Sequence, residues 1–350
     1  MKTIKLAVIP GDGIGHEVVP GALRILERLA EIHGGLKFEF EHFDYGCDHY
    51  LQHGDMMAPD GLERLAQNDA VFLGAVGDAN KVPDHISLWG LLIKIRREFQ
   101  QEINVRPAKV FEGIRSPLAN PEDFDLMVVR ENSEGEYSSV GGRMFHEEHE
   151  IAIQSSVFSK RATSQAMHYA FDLAASRGKM VTSATKSNGI YHAMPFWDDV
   201  FQEISSEYPD ISTTSEHIDA LAASFVTRPG RYDVIVASNL FGDILTDIGA
   251  AIMGSIGIAP SANLNLNGKY PSMFEPVHGS APDIVGKGVA NPVGQIWTAK
   301  MMLDHFGYTE LGSKLLQAIE DTFREGIMTS DIGGSASTDE VAKSILDKLQ

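Results

Sequence analysis

The sequence predicts an α/β protein of two domains, built on largely parallel strands that are buried on both faces. Short apolar runs that end in polar or Gly-rich turns recur along the chain, and helical patterns follow them. Apolar runs without alternation, interleaved with helices, are typical of parallel sheet covered on both sides. At 350 residues the chain is long enough for two cores, and no linker rich in Pro and Ser separates them. We therefore expect interwoven domains: a larger one from residues 1–100 and 254–350, and a smaller one from residues 101–253.

The predicted strands and helices follow one another in a regular order. IKLAVIP precedes the helical GIGHEVVPGALRILERLAEI, AVFLGAVG and DLMVVRE come next, KMVTSATK precedes a helix, and YDVIVASN leads into LFGDILTDIGAAIMG. VGGRMFHEEHEIAIQSSVFS, about residues 140–159, interrupts this order with two short strands around a charged turn. It is either a surface hairpin or an arm that exchanges with a second subunit. Because the histidines of HEEHE are three residues apart and not four, we interpret that run as a solvated turn.

Composition excludes several classes of partner. The chain has 29 basic and 48 acidic residues and a net charge of -19, which repels nucleic acid and anionic membranes. No apolar stretch is long enough to span a bilayer, and the N-terminal apolar run is too short for a signal peptide. The single cysteine, Cys47, rules out an internal disulfide and fits a reducing compartment. We expect a cytoplasmic protein.

SNLFGDILTD places two carboxylates, Asp243 and Asp247, four residues apart on a predicted helix. Residues at this spacing share a helix face and repel each other unless a cation neutralises them. No Lys, Arg or Glu occurs between Asp233 and Lys269. The carboxylates therefore face either a bound metal or a basic residue from elsewhere, although a solvated helix face is an alternative.

Other residues of the types used in carboxylate chemistry are scattered along the chain. Arg96, Arg106 and Arg130 suggest a di- or tricarboxylate ligand, since guanidinium groups bind carboxylates bidentately. Asp219 in EHIDALAA adds a third carboxylate, and three oxygen ligands without His or Cys favour Mg²⁺ or Mn²⁺ over zinc. Lys186 in TSATKSNG follows a predicted strand and is either a base or an ordinary loop lysine.

Two Gly-containing segments could contact a nucleotide. In PGDGIGHE the glycines do not match the G-x-G-x-x-G fingerprint, so a tight strand-to-helix turn is the better interpretation. EPVHGSAPDIVGKGVANP is too long for a simple turn. It could wrap a cofactor with backbone amides while Asp283 accepts hydrogen bonds from a ribose diol, and an ordinary Ω-loop fits the composition equally well.

Taken together, these motifs resemble the metal-dependent β-decarboxylating dehydrogenases, the family of isocitrate and 3-isopropylmalate dehydrogenases. The resemblance extends from IPGDGIGHE through IKIRREFQQEINVRP, VVRENSEGEY, TSATKSN, EHIDA and SNLFGDILTD to EPVHGSAPDI. It implies an isopropylmalate-dehydrogenase-like two-domain fold that is not a Rossmann fold. It also implies a homodimer with active sites shared between subunits, in which residues 140–159 form the interlocking dimerisation arm.

The resemblance also implies roles for individual residues. The substrate would be held by Arg96, Arg106 and Arg130, with Leu88 lining its pocket. Tyr137 would be the general acid and Lys186 the base. Asp219, also a catalytic residue, would bind Mn²⁺ or Mg²⁺ with Asp243 and Asp247, and Lys186 and Asp219 would come from the partner subunit. The dinucleotide would contact Ile14, Asn188, Glu275, His278, Gly279, Ser280, Ala281, Asp283 and Asn291. Asp283 would favour NAD over NADP, and K⁺ is a further candidate cofactor.

The substrate expectation depends on residues before the first arginine. Trp89 stands where isopropylmalate enzymes carry a glutamate, and Gly90 and Leu92 stand where isocitrate enzymes carry Ser and Asn. VPDHISLWG, TSATKSNG and SANLN resemble the branch that acts on tartrate and D-malate. We therefore expect NAD-dependent oxidative decarboxylation of D-malate to pyruvate and CO₂, with tartrate as a second substrate. The alternatives are 3-isopropylmalate as substrate and, outside enzymes, a carboxylate-binding protein.

Overall fold

The computed structural model describes residues 1–118, 123–145, 148 and 150–350. The strands are β1 Lys2–Gly11, β2 Leu36–His42, β3 Ala70–Ala75, β4 Ile103–Lys109, β5 Asp125–Glu131, β6 Gly141–Met144, β7 Ile151–Gln154, β8 Met180–Thr185, β9 Ser212–His217, β10 Val234–Ala237, β11 Pro260–Leu264 and β12 Ser272–Pro276. The helices are α1 Gly15–His33, α2 Cys47–His53, α3 Gly61–Leu65, α4 Asp84–Gly90, α5 Leu92–Glu98, α6 Lys160–Ala175, α7 Ala193–Ser205, α8 Ile218–Thr227, α9 Asn239–Met253, α10 Val293–His305, α11 Thr309–Arg324 and α12 Thr338–Lys348.

The first of two units comprises Met1–Gln101, Val110–Ala119 and Ala250–Gln350. Its strands lie in the order β2-β1-β3-β12-β11, and all neighbours are parallel except β11, which runs antiparallel to β12. Every residue of β3 is buried, as predicted for a strand covered on both faces. On this sheet α1 packs against α10 and α12.

The second unit comprises Glu102–Lys109 and Asn120–Gly249. Its strands lie in the order β4-β5-β10-β8-β9, with β4 antiparallel to β5 and the remaining neighbours parallel. The carboxyl ends of β5, β10, β8 and β9 therefore point the same way. Ligands of open α/β sheets bind at this edge, and the chain leaves these strands toward Tyr137, α9, Lys186 and α8. The order of parallel strands thus places most of the predicted site residues of this unit along one edge of the sheet.

The bounds of the units differ from the expected ones at residues 101, 110–119 and 250–253. Aromatic packing gives the physical reason for residues 110–119. The ring of Phe111 meets the rings of Trp297 and Phe323 edge to face, at centroid distances of 5.0 and 5.4 Å. This segment therefore shares the core of the first unit, although it follows a strand of the second.

The segment that interrupts the α/β order forms a two-stranded antiparallel hairpin of β6 and β7. All eight strand residues are exposed, including the large apolar side chains of Met144, Ile151 and Ile153. The two predicted short strands are confirmed. The charged turn HEEHE lies partly outside the described residues, because 146, 147 and 149 are not among them. No helix in the described part of the chain has the length and apolarity to cross a membrane.

Candidate active site

Two carboxylates of α9 face the guanidinium groups of two buried arginines. Oδ1 of Asp243 lies 2.5 Å from Nη1 of Arg130 and 3.5 Å from Nη1 of Arg106, and Oδ1 of Asp247 lies 3.8 Å from the same Arg106 atom. The side chains of Arg106 and Arg130 are only 9% and 3% exposed. A buried charge is tolerated only when it is paired. Strands β4 and β5 therefore supply at least part of the positive charge that the local sequence of α9 lacks.

The antiparallel pairing of β4 and β5 brings the two arginines to the same helix. Asn104 pairs with Arg130, and Arg106 pairs with Val128, so the two arginines lie two residues apart on adjacent strands. Nη1 of Arg106 also donates a hydrogen bond of 2.7 Å to Oγ1 of Thr246. The face of α9 that carries Asp243 and Asp247 thus faces guanidinium groups as well as solvent, since the Asp247 side chain is 63% exposed.

Tyr137 contacts the same carboxylate as the arginines. Its hydroxyl donates to Oδ2 of Asp243 at 2.8 Å, and the guanidinium carbon of Arg130 lies 5.4 Å from the centre of its ring. A cation at this distance is attracted to an aromatic face. The phenol therefore stands beside both a guanidinium group and a carboxylate, as a proton donor to a bound anion would.

The carboxylates of two glutamates hold the loop that carries Tyr137. The buried Glu131 carboxylate accepts hydrogen bonds from N and Oγ of Ser133 and from N of Glu134. Burial raises the pKa of Glu131, and those hydrogen bonds oppose the rise. Glu136 accepts from Oγ of Ser238 at 2.9 Å and from the backbone N of Leu240 at 3.1 Å. The loop is therefore fastened to the start of α9, where a negative charge is favourable.

Lys186 and Asp219 form an ion pair at the ends of β8 and β9, with Nζ 2.7 Å from Oδ1. The hydrogen bond from Lys186 lowers the pKa of Asp219, whose side chain is 67% exposed. In the described part of this single chain, no three side chains of His, Cys, Asp or Glu form a cluster that could hold a metal. The structure therefore brings Asp243 and Asp247 together, and it places Asp219 with Lys186.

The donor set on α9 fits a hard divalent cation. Asp243 and Asp247 offer carboxylate oxygens only, which is the chemistry that Mg²⁺ and Mn²⁺ prefer. Burial, and then the charge of Asp243, raises the pKa of Asp247, while Arg106 opposes the rise. A cation at this position would relieve the repulsion between the two carboxylates, so the residues present fit such a metal.

The third predicted arginine lies in the first unit and has its own partner. Nη2 of Arg96, on α5, donates to Oε1 of Glu275 at 2.6 Å, and Nδ2 of Asn263 donates to the same oxygen at 2.7 Å. Glu275, predicted to contact the cofactor, is thus paired with a predicted substrate residue. Leu88 is half-buried on α4. Trp89, which follows Leu88, is 43% exposed, and its ring centre lies 4.6 Å from the guanidinium carbon of Arg97.

The predicted cofactor loop, residues 277–292, joins β12 to α10, and hydrogen bonds tie it to the PGDGIGHE segment and to α12. The backbone N of Ile14 donates to O of Ser280 at 2.9 Å, N of Gly286 to Oε1 of Glu17 at 2.8 Å, and N of Thr338 to O of Gly288 at 2.9 Å. The PGDGIGHE turn therefore supports this loop. At Gly13, with φ +56°, a Cβ would lie 2.1 Å from O of Ser280. The backbone conformation and this close approach are therefore sufficient reasons for a glycine there, and phosphate binding is not needed to explain it.

The side chains of this loop differ in exposure. Asp283 and Gly279 are exposed, whereas His278, Ser280 and Asn291 are buried and Ala281 adopts a φ of +41°. Asn291 accepts from N of Val293 at the start of α10 and donates to Asp331, so it fastens the end of the loop. Burial lowers the pKa of His278, and its Nε2 has no partner among the described groups. Exposed carboxylate and orphaned nitrogen fit a polar ligand such as a nucleotide. Asn188 lies in an exposed turn of the second unit.

Sequence reasoning gave no role in the site to Thr246, Asn239 or Glu136. From sequence, Thr246 and Asn239 are uncharged residues of the helical run that carries Asp243 and Asp247. Asn239 instead accepts two hydrogen bonds from Arg130, through Nε at 3.1 Å and Nη2 at 2.7 Å. The available signal was its place at the start of the helix that carries both carboxylates. Its partner was unpredictable because Arg130 is more than a hundred residues away in the chain.

Comparisons with known proteins agree with this architecture. Residues 5–345 match the model of the isocitrate/isopropylmalate dehydrogenase family. The chain is 63% identical over 350 residues to a probable tartrate dehydrogenase/decarboxylase of Bacillus subtilis (strain 168), with 100% of this chain and 99% of that protein covered. It is 51% identical over 355 residues to the D-malate dehydrogenase (decarboxylating) of Escherichia coli (strain K12), covering 99% and 98%. The crystal structure of isocitrate dehydrogenase from Methylococcus capsulatus matches 99% of each chain with a TM-score of 0.88 and 30% identity.

These matches confirm the predicted fold class and the predicted enzyme class, an oxidoreductase. They cover nearly the whole chain, and they rest on both sequence and three-dimensional structure. The chain belongs to the isocitrate/isopropylmalate dehydrogenase family.

Proposed function

We propose that the protein catalyses the NAD- and divalent-metal-dependent oxidative decarboxylation of D-malate to pyruvate and CO₂, and that it also acts on tartrate. The observation that carries this proposal is the convergence of Arg106, Arg130 and Tyr137 on the carboxylate of Asp243. The names of the relatives in Bacillus subtilis and Escherichia coli support the same substrates.

The charges of the second unit suit a dicarboxylate that enters with a divalent cation. The arginines Arg106 and Arg130 carry two positive charges, and Asp243 and Asp247 carry two negative ones when ionised. D-malate brings two further negative charges, which Mg²⁺ or Mn²⁺ balances. The substrate and metal can therefore bind together without leaving an uncompensated charge among the buried arginines. Because the net charge of the protein is -19, local arginines and not the overall field must attract the anion.

The residues of the chain then provide proton transfer. When bound, the divalent metal would polarise the C2 hydroxyl and the carbonyl formed from it, and NAD would accept the hydride from C2. Lys186, as the neutral amine, takes the proton of the C2 hydroxyl and becomes an ammonium group. Arg106 and Arg130 hold the substrate carboxylates while the C3–C4 bond breaks and CO₂ leaves. Tyr137 donates its phenolic proton to C3, which yields pyruvate.

We further propose that NAD is preferred over NADP. Asp283 is exposed on the loop of residues 277–292. Its carboxylate can accept hydrogen bonds from a ribose diol, whereas a 2′-phosphate would meet a like charge. The substitution Asp283→Asn removes this repulsion. It should therefore lower the ratio of the kcat/KM for NAD to the kcat/KM for NADP. Equal efficiency with both dinucleotides in the unmodified enzyme would contradict the preference.

We propose that the working enzyme is a homodimer in which Lys186 and Asp219 serve the site of the other subunit. The family resemblance supports this arrangement, and so does the hairpin of β6 and β7. Its exposed apolar side chains, among them Met144 and Ile153, are suited to burial against another chain.

The proposed reaction is tested by NADH formation with a panel of hydroxy acids. The panel contains D-malate, L-malate, the stereoisomers of tartrate, isocitrate and 3-isopropylmalate, each with Mn²⁺ and with an excess of chelator. We expect the highest kcat/KM with D-malate, lower activity with tartrate, and loss of activity with chelator. A higher kcat/KM with 3-isopropylmalate would overturn the substrate assignment, and full activity in chelator would overturn the metal requirement.

A further inference from the structure

The amide of Asn239 connects Arg130 to the loop that carries Tyr137. Its Oδ1 accepts hydrogen bonds from Nε and Nη2 of Arg130, at 3.1 and 2.7 Å, and its Nδ2 donates to the backbone O of Glu134 at 3.1 Å. Asn239 itself is 3% exposed. Since one end of the amide meets only donors and the other meets an acceptor, the orientation of this side chain is fixed by its partners.

This contact determines which edge of Arg130 can meet an anion. A guanidinium group has five N–H donors in a planar fork. Asn239 takes the edge formed by Nε and Nη2, while Nη1 is directed to Oδ1 of Asp243 at 2.5 Å. The end of the fork formed by Nη1 and Nη2 is therefore turned toward the carboxylate face of α9, where the proposed substrate and metal bind.

The chemical type of the acceptor matters as much as its position. An amide oxygen accepts hydrogen bonds without cancelling the charge of the arginine, whereas a carboxylate at the same place would pair with it. Arg130 already shares Nη1 with Asp243. A second carboxylate on its other edge would compete directly with a substrate carboxylate for the same positive charge.

Close packing fixes the stem of Arg130 against the same turn of α9. A Cβ at Gly242 would lie 2.7 Å from both Cβ and Cγ of Arg130. The helix therefore approaches the arginine as closely as a glycine permits. Both the stem and the head of Arg130 are thus held by the first turns of α9.

We propose that Asn239 is a positioning residue that aims Arg130 at a substrate carboxylate without adding a second negative charge to the ion pair of Arg130 and Asp243. This inference rests on the proposed function, because it assumes that Arg130 binds the anionic substrate. Asn239 does not need to touch the substrate. It acts through Arg130, so its removal should weaken substrate binding more than the chemical step.

The test compares two substitutions at this position. Asn239→Asp keeps the size of the side chain but places a negative charge beside the guanidinium group of Arg130. It also replaces the Nδ2 donor that faces O of Glu134 with a carboxylate oxygen. Asn239→Ser removes the amide without adding charge. For Asn239→Asp we expect the KM for D-malate to rise roughly tenfold or more, with a much smaller change in kcat and no change in the KM for NAD. For Asn239→Ser we expect a smaller rise in the same KM.

A direct binding measurement complements the kinetics and tolerates an inactive variant. Calorimetric titration with D-malate and Mg²⁺ in the absence of dinucleotide should show the same order of dissociation constants. Thermal unfolding reports whether each variant is folded, and Asn267→Asp, on an exposed turn of the first unit, controls for the added charge. An unchanged D-malate KM and dissociation constant in folded Asn239→Asp would overturn the inference. Absence of D-malate turnover in the unmodified enzyme would instead overturn the proposed function.

Discussion

Individual residues of the site are defined by partners that lie far away in the chain. Asp243 is the clearest case, because it contacts Arg130, Arg106 and Tyr137 within 3.5 Å. From sequence it is one of two isolated charges on an apolar helix. In the structure it is the point where a guanidinium pair and a phenol meet, and it is one of the proposed metal ligands. Its substitution would therefore remove a negatively charged partner of two buried arginines and a ligand of the proposed metal.

The buried His278 is expected to make the stability of the protein depend on pH. Burial lowers its pKa below the value of 6.5 that applies to an exposed histidine. Between the folded pKa and 6.5 the unfolded chain binds a proton that the folded chain does not. The contribution of neutral His278 to the free energy of unfolding is therefore fully present above pH 6.5. It decreases as the pH falls from 6.5 through the folded pKa, by at most about 1.4 kcal/mol per pH unit for one group.

Urea unfolding of the dinucleotide-free protein at several pH values measures this effect. The loss of unfolding free energy between about pH 7.5 and pH 5.5 should be smaller in His278→Gln than in the unmodified protein. His53→Gln, at an exposed position on α2, is the matched control and should leave that loss unchanged. Identical pH dependence in His278→Gln and the unmodified protein would show that His278 does not contribute.

At the scale of elements, α9 organises the second unit. Its start receives the carboxylate of Glu136 and supports Arg130 through Asn239, and its exposed face presents Asp243 and Asp247. The hydrophobic side of the same helix is buried, with Leu245 and Ala250 almost inaccessible. One helix thus combines a core-forming face with the polar face of the site, as the spacing of its residues predicts.

Two glycines of α9 provide a matched pair of substitutions. In Gly242→Ala the new Cβ would lie 2.7 Å from Cβ and Cγ of Arg130, so the arginine or the helix must shift. We expect a loss of stability of about 1–3 kcal/mol and a rise in the KM for D-malate. In Gly249→Ala the nearest atoms, in Ala108 and Phe225, would be 3.4 Å away.

The second substitution is expected to be tolerated, because its contact is an ordinary one and alanine favours helix over glycine. Urea unfolding and steady-state kinetics of both variants check these outcomes. If Gly242→Ala were as stable and as active as Gly249→Ala, the close approach of α9 to Arg130 would have no functional weight.

At the scale of the whole molecule, the strongly acidic composition and the exposed hairpin act on different partners. A net charge of -19 disfavours nucleic acid and anionic surfaces. The hairpin of β6 and β7 carries apolar residues on exposed strands, and exposed apolar side chains that lie together are typical of an interaction site. Association with a second copy would bury them.

The proposed dimer is tested by charging this hairpin. Ile153 is 58% exposed on β7, and Ile153→Glu would place a charge where the proposed interface is apolar. We expect light scattering to show dissociation to monomers, and activity to fall because Lys186 and Asp219 would no longer reach the other subunit. Leu51→Glu, at a side chain that is 60% exposed on α2, is the control and should remain dimeric and active. A fully active dimer of Ile153→Glu would exclude the hairpin from the interface.

The sequence by itself determined the α/β class, the two interleaved units and the types of group in the site. Strands such as β3 and helices such as α9 are predicted by the local pattern of hydrophobic residues, which depends on neighbours within a few residues. Charge and composition, likewise, need no folded structure. The resemblance of several ordered motifs added the residue roles, which remain proposals for this chain.

Only the tertiary structure decided how those groups are paired. The antiparallel register of β4 and β5 places Arg106 and Arg130 beside α9, and the order of the parallel strands places Lys186 and Asp219 along the same edge of the sheet. Asn239 and Glu136 became visible as supports of Arg130 and Tyr137 only through contacts that span more than a hundred residues of chain. Local periodicity fixes which face of an element is buried, whereas strand order and register fix which distant side chain it meets.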